Sequence, residues 1–255
     1  MQVALNDVNC NQIVLSEMKL DFLAFGVHPD DVELSCAGTL LIEKNNGKQT
    51  GIIDLTAGEL GTRGTAAIRR HEAAAAAKIL GVDIRENLGM ADGFFQNDEA
   101  HQLKIISSLR TYQPEIVFCN APSDRHPDHG RSAKLVADAA FLSGLKKIET
   151  GALEAWRPKY VFNYIQDRFL QPDFVIDITG VFEQKIEAIK AFSTQFHNNN
   201  EEGPQTYIST PDFLDSVVYR HKWFGKMIGV KYAEGFITEK MIGFKDMNAF
   251  IKQTT

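Results

Sequence analysis

Cysteine is scarce in this chain. There are 3 in 255 residues, and Cys10, Cys36 and Cys119 lack metal-ligand spacing, so no disulfide framework is implied. Cys36 falls in a helical pattern and Cys119 ends an apolar run; both are read as buried small hydrophobes. Basic charge is also short. Lys and Arg number 27 against 33 Asp and Glu, giving a formal net charge of −6. No basic block or stripe stands out, which argues against a nucleic-acid partner. No apolar run approaches the roughly 20 residues that cross a bilayer. No basic stretch followed by an apolar one marks a signal peptide near Met1. A cytoplasmic enzyme, engaging neither nucleic acid nor membrane, is the expectation. What is present is an ordinary globular composition, 44% hydrophobic and 24% charged, with length for one large α/β domain.

Apolar runs that read as strands recur at 22–27, 51–55, 83–88 and 115–119, with further ones at 159–165 and 173–178. Helical patterns lie at 32–46, 66–80, 99–112 and 129–145, then at 179–194 and 211–227. Gly47 and Gly81 mark two helix ends, where a left-handed residue is favoured. Strand and helix in alternation predict a Rossmann-like three-layer α/β fold, a mostly parallel twisted sheet with helices on both faces. Residues 1–17 are expected to be a loosely attached extension and 18–255 a single domain. The alanine run Ala73–Ala77 is read as close packing of a helix on the sheet.

Two short stretches carry the chemistry. His28-Pro29-Asp30-Asp31 follows the first strand and Arg125-His126-Pro127-Asp128-His129 follows the fourth. In an open parallel sheet, ligands bind beyond the carboxyl ends of the strands where the strand order reverses. Two imidazoles and a carboxylate from two strand ends can hold one divalent metal and leave positions open, as a catalytic site requires. Of the adjacent Asp30 and Asp31, one can ligate while the other takes a proton from water. Of His126 and His129, one can ligate while the other faces substrate, and a protonated histidine beside Asp128 would stabilise an oxyanion.

His28-Pro29-Asp30-Asp31 with Glu33, Gly38 and Thr39, together with the second stretch at its distance, resembles the LmbE/PIG-L-like zinc deacetylases, from about Met18 to Phe244. Residues 55–64, Gln195-Phe196 and 229–236 bring the resemblance closest to the branch that deacetylates N-acetylglucosaminyl-malate in bacillithiol biosynthesis. The resemblance implies Zn2+ on His28, Asp31 and His129, with other divalent metals admissible. It implies Asp30 as general base, His126 as the group polarising the acetyl carbonyl, and Asp128 as the carboxylate orienting it. Arg69, Arg125 and Arg157 would line the site, Arg125 pairing with an anionic aglycone, and Asp92 would meet sugar hydroxyls. Phe213 stands where some relatives have a tyrosine, so that role is either absent or taken by Tyr207. A small amino-sugar conjugate is the implied substrate and a homo-oligomer, hexameric in some relatives, the implied assembly.

Blander and rival readings exist for the same residues. Asp30 and Asp31 suit a helix N-terminus. His71 and His101 read as surface residues, His221 as part of a solvated helix face, and His197 as part of a polar loop. The glycines between Gly58 and Gly64 match neither the dinucleotide fingerprint nor the P-loop. Two histidines and a carboxylate also satisfy a non-haem iron oxygenase, which would need Fe(II) and O2. Deacetylation of other N-acetylglucosamine conjugates or chito-oligosaccharides is the nearer alternative.

Overall fold

The computed structural model describes residues 18–196 and 203–248. The extension expected at 1–17, with Cys10, and the loop histidine His197 lie outside the described residues. The strands are β1 Phe22–Gly26, β2 Thr50–Thr56, β3 Ile84–Met90, β4 Ile116–Cys119, β5 Tyr160–Tyr164, β6 Phe174–Asp177 and β7 Ala233–Ile237. They form one seven-stranded sheet in the order β3-β2-β1-β4-β5-β7-β6. The first five in chain order are parallel, and β7 inserts antiparallel between β5 and β6. The order reverses between β1 and β4, the two strands whose ends carry the histidine stretches.

The helices are α1 Asp31–Ser35, α2 Ala37–Asn45, α3 Ala66–Leu80, α4 Glu99–Tyr112, α5 Pro127–Leu142, α6 Phe182–Lys190 and α7 Pro211–Ile228. Strand alternation divides the core. Leu23 and Phe25 of β1 join a cluster with Ile105, Ile106 and Leu109 of α4 and Leu135 and Val136 of α5. Ala24, between them, faces Val32, Leu40 and Leu41 on the opposite side. Side chains two apart on a strand share a face, so one run of apolar residues feeds both layers. The fold is the expected three-layer α/β sandwich.

Local chemistry sets the helix boundaries. The Thr65 Oγ1 accepts from Ile68 N and caps α3, which ends at left-handed Gly81. The helix expected at 32–46 is two helices, because the backbone at Cys36 (φ −129) leaves the helical region. The strand β7 was read only as part of a motif. His221 corrects another expectation. It is 1% exposed, sharing with Phe213, Val217 and Phe224 the face of α7 that packs inward, and its ring Nδ1 is 2.6 Å from Val217 O.

A buried polar pin fastens β7 to the helices. Glu234 accepts from Gly38 N (2.8 Å), Thr39 N (2.7 Å) and Thr39 Oγ1 (2.6 Å), and from Lys185 Nζ of α6 (2.6 Å). Gly38 and Thr39 lie in the first turn of α2, where amides lack helical acceptors and the dipole favours an anion. Lys185 has no exposure and Glu234 1%. Removing one partner of such a pair strands the other charge. Glu234→Ala is therefore expected to lower the unfolding free energy by about 3–5 kcal/mol in urea melts. A loss below about 1 kcal/mol, the value of an exposed pair, would refute the pin.

Candidate metal centre and catalytic site

The turn after β1 is built around Asp31, the first residue of α1 and 2% exposed. Its Oδ2 accepts from Val27 N (2.9 Å), His28 N (3.0 Å) and Asn120 Nδ2 (3.0 Å). Its Oδ1 accepts from Gln166 Nε2 (2.8 Å). Burial alone would raise its pKa, but the His129 and His28 imidazoles and the Gln166 amide hold the carboxyl well below the usual range. The result is a permanent anion between two imidazoles. His129 Nε2 is 3.3 Å from Oδ1 and His28 Nδ1 is 3.8 Å from Oδ2.

Each of those imidazoles is fixed from behind. His28 Nε2 meets Asp92 Oδ1 at 2.9 Å, and His129 Nδ1 meets Asp124 Oδ2 at 2.6 Å. A carboxylate on the far nitrogen sets the tautomer and rotation of a metal-binding histidine. Burial opposes a charge on His129, yet Asp31 and Asp124 push its pKa up to about 10. A divalent ion between His129 and Asp31 would displace that proton, so binding tightens as pH rises.

His126 precedes α5 as its N-cap, and its Nδ1 accepts from Asp128 N at 3.3 Å. Accepting at Nδ1 places the proton on Nε2. Burial, then His28 and His129, lowers its pKa, so the ring is a neutral donor rather than the cation expected from the sequence. The His28 and His126 rings meet edge-on with centroids 4.7 Å apart. Nitrogen atoms of His28, His126 and His129 lie within 4.8 Å of one another, so this trio is a second possible donor set. Asp31 supplies the negative charge that the trio lacks, and His126 Nδ1 is already committed to its helix. The expected set of His28, Asp31 and His129 brings that charge, with Asp31 oxygens 3.3 Å from His129 Nε2 and 3.8 Å from His28 Nδ1.

Asp30 is 4% exposed and faces the same cavity. Burial raises its pKa to about 7, Arg69 opposing and Asp31 adding to the shift. The Arg69 Nη2 atom is 3.9 Å from Asp30 Oδ2 and is hydrogen-bonded to Gln195 Oε1. A Cβ at Gly58 (φ +64) would collide with that guanidinium, so glycine is required there. Asp30 has φ 131, a strained value for a residue other than glycine, in a turn held by the hydrogen bonds that the Asp31 carboxylate accepts from Val27 N and His28 N before it.

His28, Asp30, Asp31, His126 and His129 therefore meet at one cavity of about 200 Å³, with Arg69, Asp92 and Arg125 in its walls. Three expectations change. Arg157 is not in the site: its Nη2 donates to Phe141 O (2.7 Å) at the far end of α5. A 16-residue helix puts that end roughly 20 Å from His126. Asp92 has its carboxylate committed to His28 and to Leu60 N (3.0 Å) rather than left for sugar hydroxyls. Asp128 engages the His126 ring through its backbone amide, while its carboxylate takes Gly93 N (2.8 Å) and Arg131 Nη1 (2.6 Å). Arg125 lines the cavity but its Nε donates to Asp167 Oδ2 at 2.8 Å. Phe213 also lines the cavity, and the Tyr207 hydroxyl beside it donates to Asp167 Oδ1 (3.1 Å). Asn120, Asp124, Gln166 and Arg220 were missed. Asn120, Asp124 and Gln166 follow β4 and β5, so the strand-end rule that found the histidines could have found them too.

The family described as PIG-L: GlcNAc-PI de-N-acetylase matches residues 23–140. A diacetylchitobiose deacetylase of Thermococcus kodakarensis is 27% identical over 82% of this chain and 79% of its own. A 4-oxalmesaconate hydratase of Pseudomonas putida is 26% identical over 69% and 74%. A probable N-acetyl-alpha-D-glucosaminyl L-malate deacetylase of Bacillus anthracis is 26% identical over 66% and 78%. Among solved structures, a conserved protein of Thermus thermophilus superposes with a TM-score of 0.81 at 35% identity, over 89% of this chain and 98% of that one.

Two outcomes follow from the geometry. Asp124→Asn is expected to weaken divalent-metal affinity about 10–100-fold in chelator competition, as loss of an outer carboxylate does. Unchanged affinity would remove His129 from the donor set. The folded pKa of Asp30, about 7, lies above its ordinary 3.8. Its ionisation therefore penalises the metal-free fold increasingly as pH rises from about 4 to 7, with the full penalty above that. Asp30→Asn should raise the Tm of metal-free protein at pH 8, with the gain gone near pH 4. An equal gain at both would contradict the assignment.

Proposed function

We propose, from the premise that this chain belongs to the PIG-L family, that it is a zinc-dependent N-deacetylase freeing the amine of an N-acetylglucosaminyl conjugate. One observation carries the reading. Two adjacent buried carboxylates have their pKa values driven apart, Asp31 downward and Asp30 up to about 7, in front of three imidazoles. Opposed environments of this kind separate a ligand from a base.

His28, Asp31 and His129 would hold the metal. When bound, the ion supplies Lewis acidity, polarising the acetamide carbonyl and lowering the pKa of a water towards 7. Asp30 accepts the proton of the attacking water, its pKa matching neutral pH. The His126 Nε2–H donates to the acetyl oxygen as charge develops there. Asp30 then returns its proton to the departing amine nitrogen. Arg69, held by Gln195, keeps a positive charge beside Asp30 throughout.

The aglycone has two readings. N-acetylglucosaminyl-malate, the substrate of bacillithiol biosynthesis, is supported by the Bacillus relative and by Arg69, Arg125 and Arg220 in the cavity wall. A chito-oligosaccharide is supported by the Thermococcus relative, which matches more of the chain. We place the reaction in the cytoplasm, in a homo-oligomer. The net charge of −6 disfavours a nucleic-acid partner, and no described helix is long and apolar enough to cross a membrane.

The test is release of free amine by zinc-loaded protein under anaerobic conditions, which also separates hydrolysis from O2 chemistry. Asp30→Asn should lower kcat about 10²–10⁴-fold with metal still bound. Loss of metal together with activity would reverse the roles of Asp30 and Asp31. Absence of amine release from every N-acetylglucosaminide tried would reject the deacetylase, and hydration of an unsaturated acid, the reaction named for the Pseudomonas relative, would replace it.

A further inference from the structure

Beside the histidine cavity lies a larger one, of about 570 Å³, on the outer face of α7. The two share the residues Asp167 and Arg220 as a common wall. Its other sides are aromatic. Tyr219 and Trp223 stand four residues apart on one face of the helix, with Phe169 and Tyr207 also lining it. These are the large side chains a fold normally hides, yet Phe169 is 63% exposed, Tyr207 55%, Tyr219 66% and Trp223 51%.

The polar groups between the rings narrow the occupant. Lys222 Nζ lies 5.8 Å from the Tyr219 ring centroid and Lys226 Nζ 5.6 Å from that of Trp223. Asp167 is held between Arg125 Nε and the Tyr207 hydroxyl, and the Arg125 guanidinium lies 4.3 Å over the Tyr207 ring. Aromatic rings interleaved with cations, with the Asp167 carboxylate and the Tyr207 hydroxyl beside them, suit a ligand that is apolar on its faces and polar at its rim. A pyranose is such a ligand: its C–H faces pack on aromatic rings and its equatorial hydroxyls point outward to polar groups. A short dicarboxylate leaves the aromatic wall unused.

We infer that the α7 cavity is a subsite for a second sugar ring, glycosidically joined to the N-acetylglucosaminyl unit whose acetamide enters the histidine cavity. The inference rests on the deacetylase reading for what occupies the inner cavity. Asp167 and Arg220, which line both cavities, mark where the glycosidic link would cross from one to the other. The Tyr207–Arg125–Asp167 cluster borders that crossing, so it acts on which aglycone is accepted and not on the bond that breaks.

The experiment compares N,N′-diacetylchitobiose, N-acetylglucosamine and N-acetylglucosaminyl-malate as substrates of zinc-loaded wild type, Trp223→Ala and Trp223→Phe. The disaccharide should exceed the monosaccharide in kcat/KM by about tenfold, the scale of an aromatic ring contact. Trp223→Ala should remove most of that preference through KM, and Trp223→Phe should keep most of it. Trp223 is half-exposed, so neither change empties the core. A second readout needs no turnover: free chitobiose should change the tryptophan fluorescence of metal-free wild type and not of Trp223→Phe. A preference unaltered in Trp223→Ala overturns the subsite even where amine is released. So does a malate preference that Trp223→Ala leaves intact. An altered sedimentation coefficient with unaltered preference assigns the face to contact between copies of the chain, and overturns it as well. If no sugar releases amine, the deacetylase reading has failed, and the fluorescence change alone decides whether the cavity binds sugar.

Discussion

An ionised carboxylate with almost no access to water must be surrounded by donors, and the arrangement of the site follows from that need. Asp31 is anchored by amides of the β1 turn and by side chains just beyond β4 and β5. These are three neighbouring strands of the parallel sheet, and their carboxyl ends open on one crevice. Displacing any of the three would leave a buried charge short of a partner, a loss of several kcal/mol. The same anion draws His129 and His28 towards it, and Asp124 and Asp92 hold those rings in place from behind. The candidate metal centre is thus held in place by hydrogen bonds within the protein itself.

Asp30 is the counterpart. It shares the burial of its neighbour but lacks the cage of donors, so desolvation governs it. One residue of displacement along a turn separates a carboxylate that stays charged from one that can exchange a proton. The turn that achieves this carries backbone strain at Asp30 itself. Strain at such a position persists only where the surroundings over-determine it. Here the over-determination is the Asp31 cage, so chemistry and conformation have a common origin.

Much of this was readable in the sequence, for identifiable reasons. The parallel half of the sheet was visible because each strand is a short apolar run followed by an amphipathic helix. The rule that ligands sit beyond strand ends at an order reversal brings both histidine stretches to one crevice. What failed to show was non-local. Strand β7 pairs antiparallel with β5 and β6, far from it in the chain, and nothing in 233–237 records that. His221 looked solvated between Arg220 and Lys222, because the inward face of α7 is set by the sheet it covers and not by its immediate neighbours. Arg157 rested on the family resemblance alone, and the helix before it carries it to the far end of the fold. Asp124 and Gln166 escaped notice because outer-shell partners have no motif of their own, only a position past a strand end.

The late insertion of β7 bears on how the molecule is made. Ribosomal synthesis delivers β6 nearly sixty residues ahead of the only strand it pairs with among those described. Until Ala233–Ile237 emerges, β6 has no neighbour, β5 has one bare edge, and Lys185 has no carboxylate to enter the interior with. His28, Asp31 and His129 with their direct hydrogen-bond partners, by contrast, lie within residues 27–166. A nascent chain can therefore bring its candidate metal donors together first and seal its sheet last, and truncation near residue 230 would leave a site without a finished protein around it.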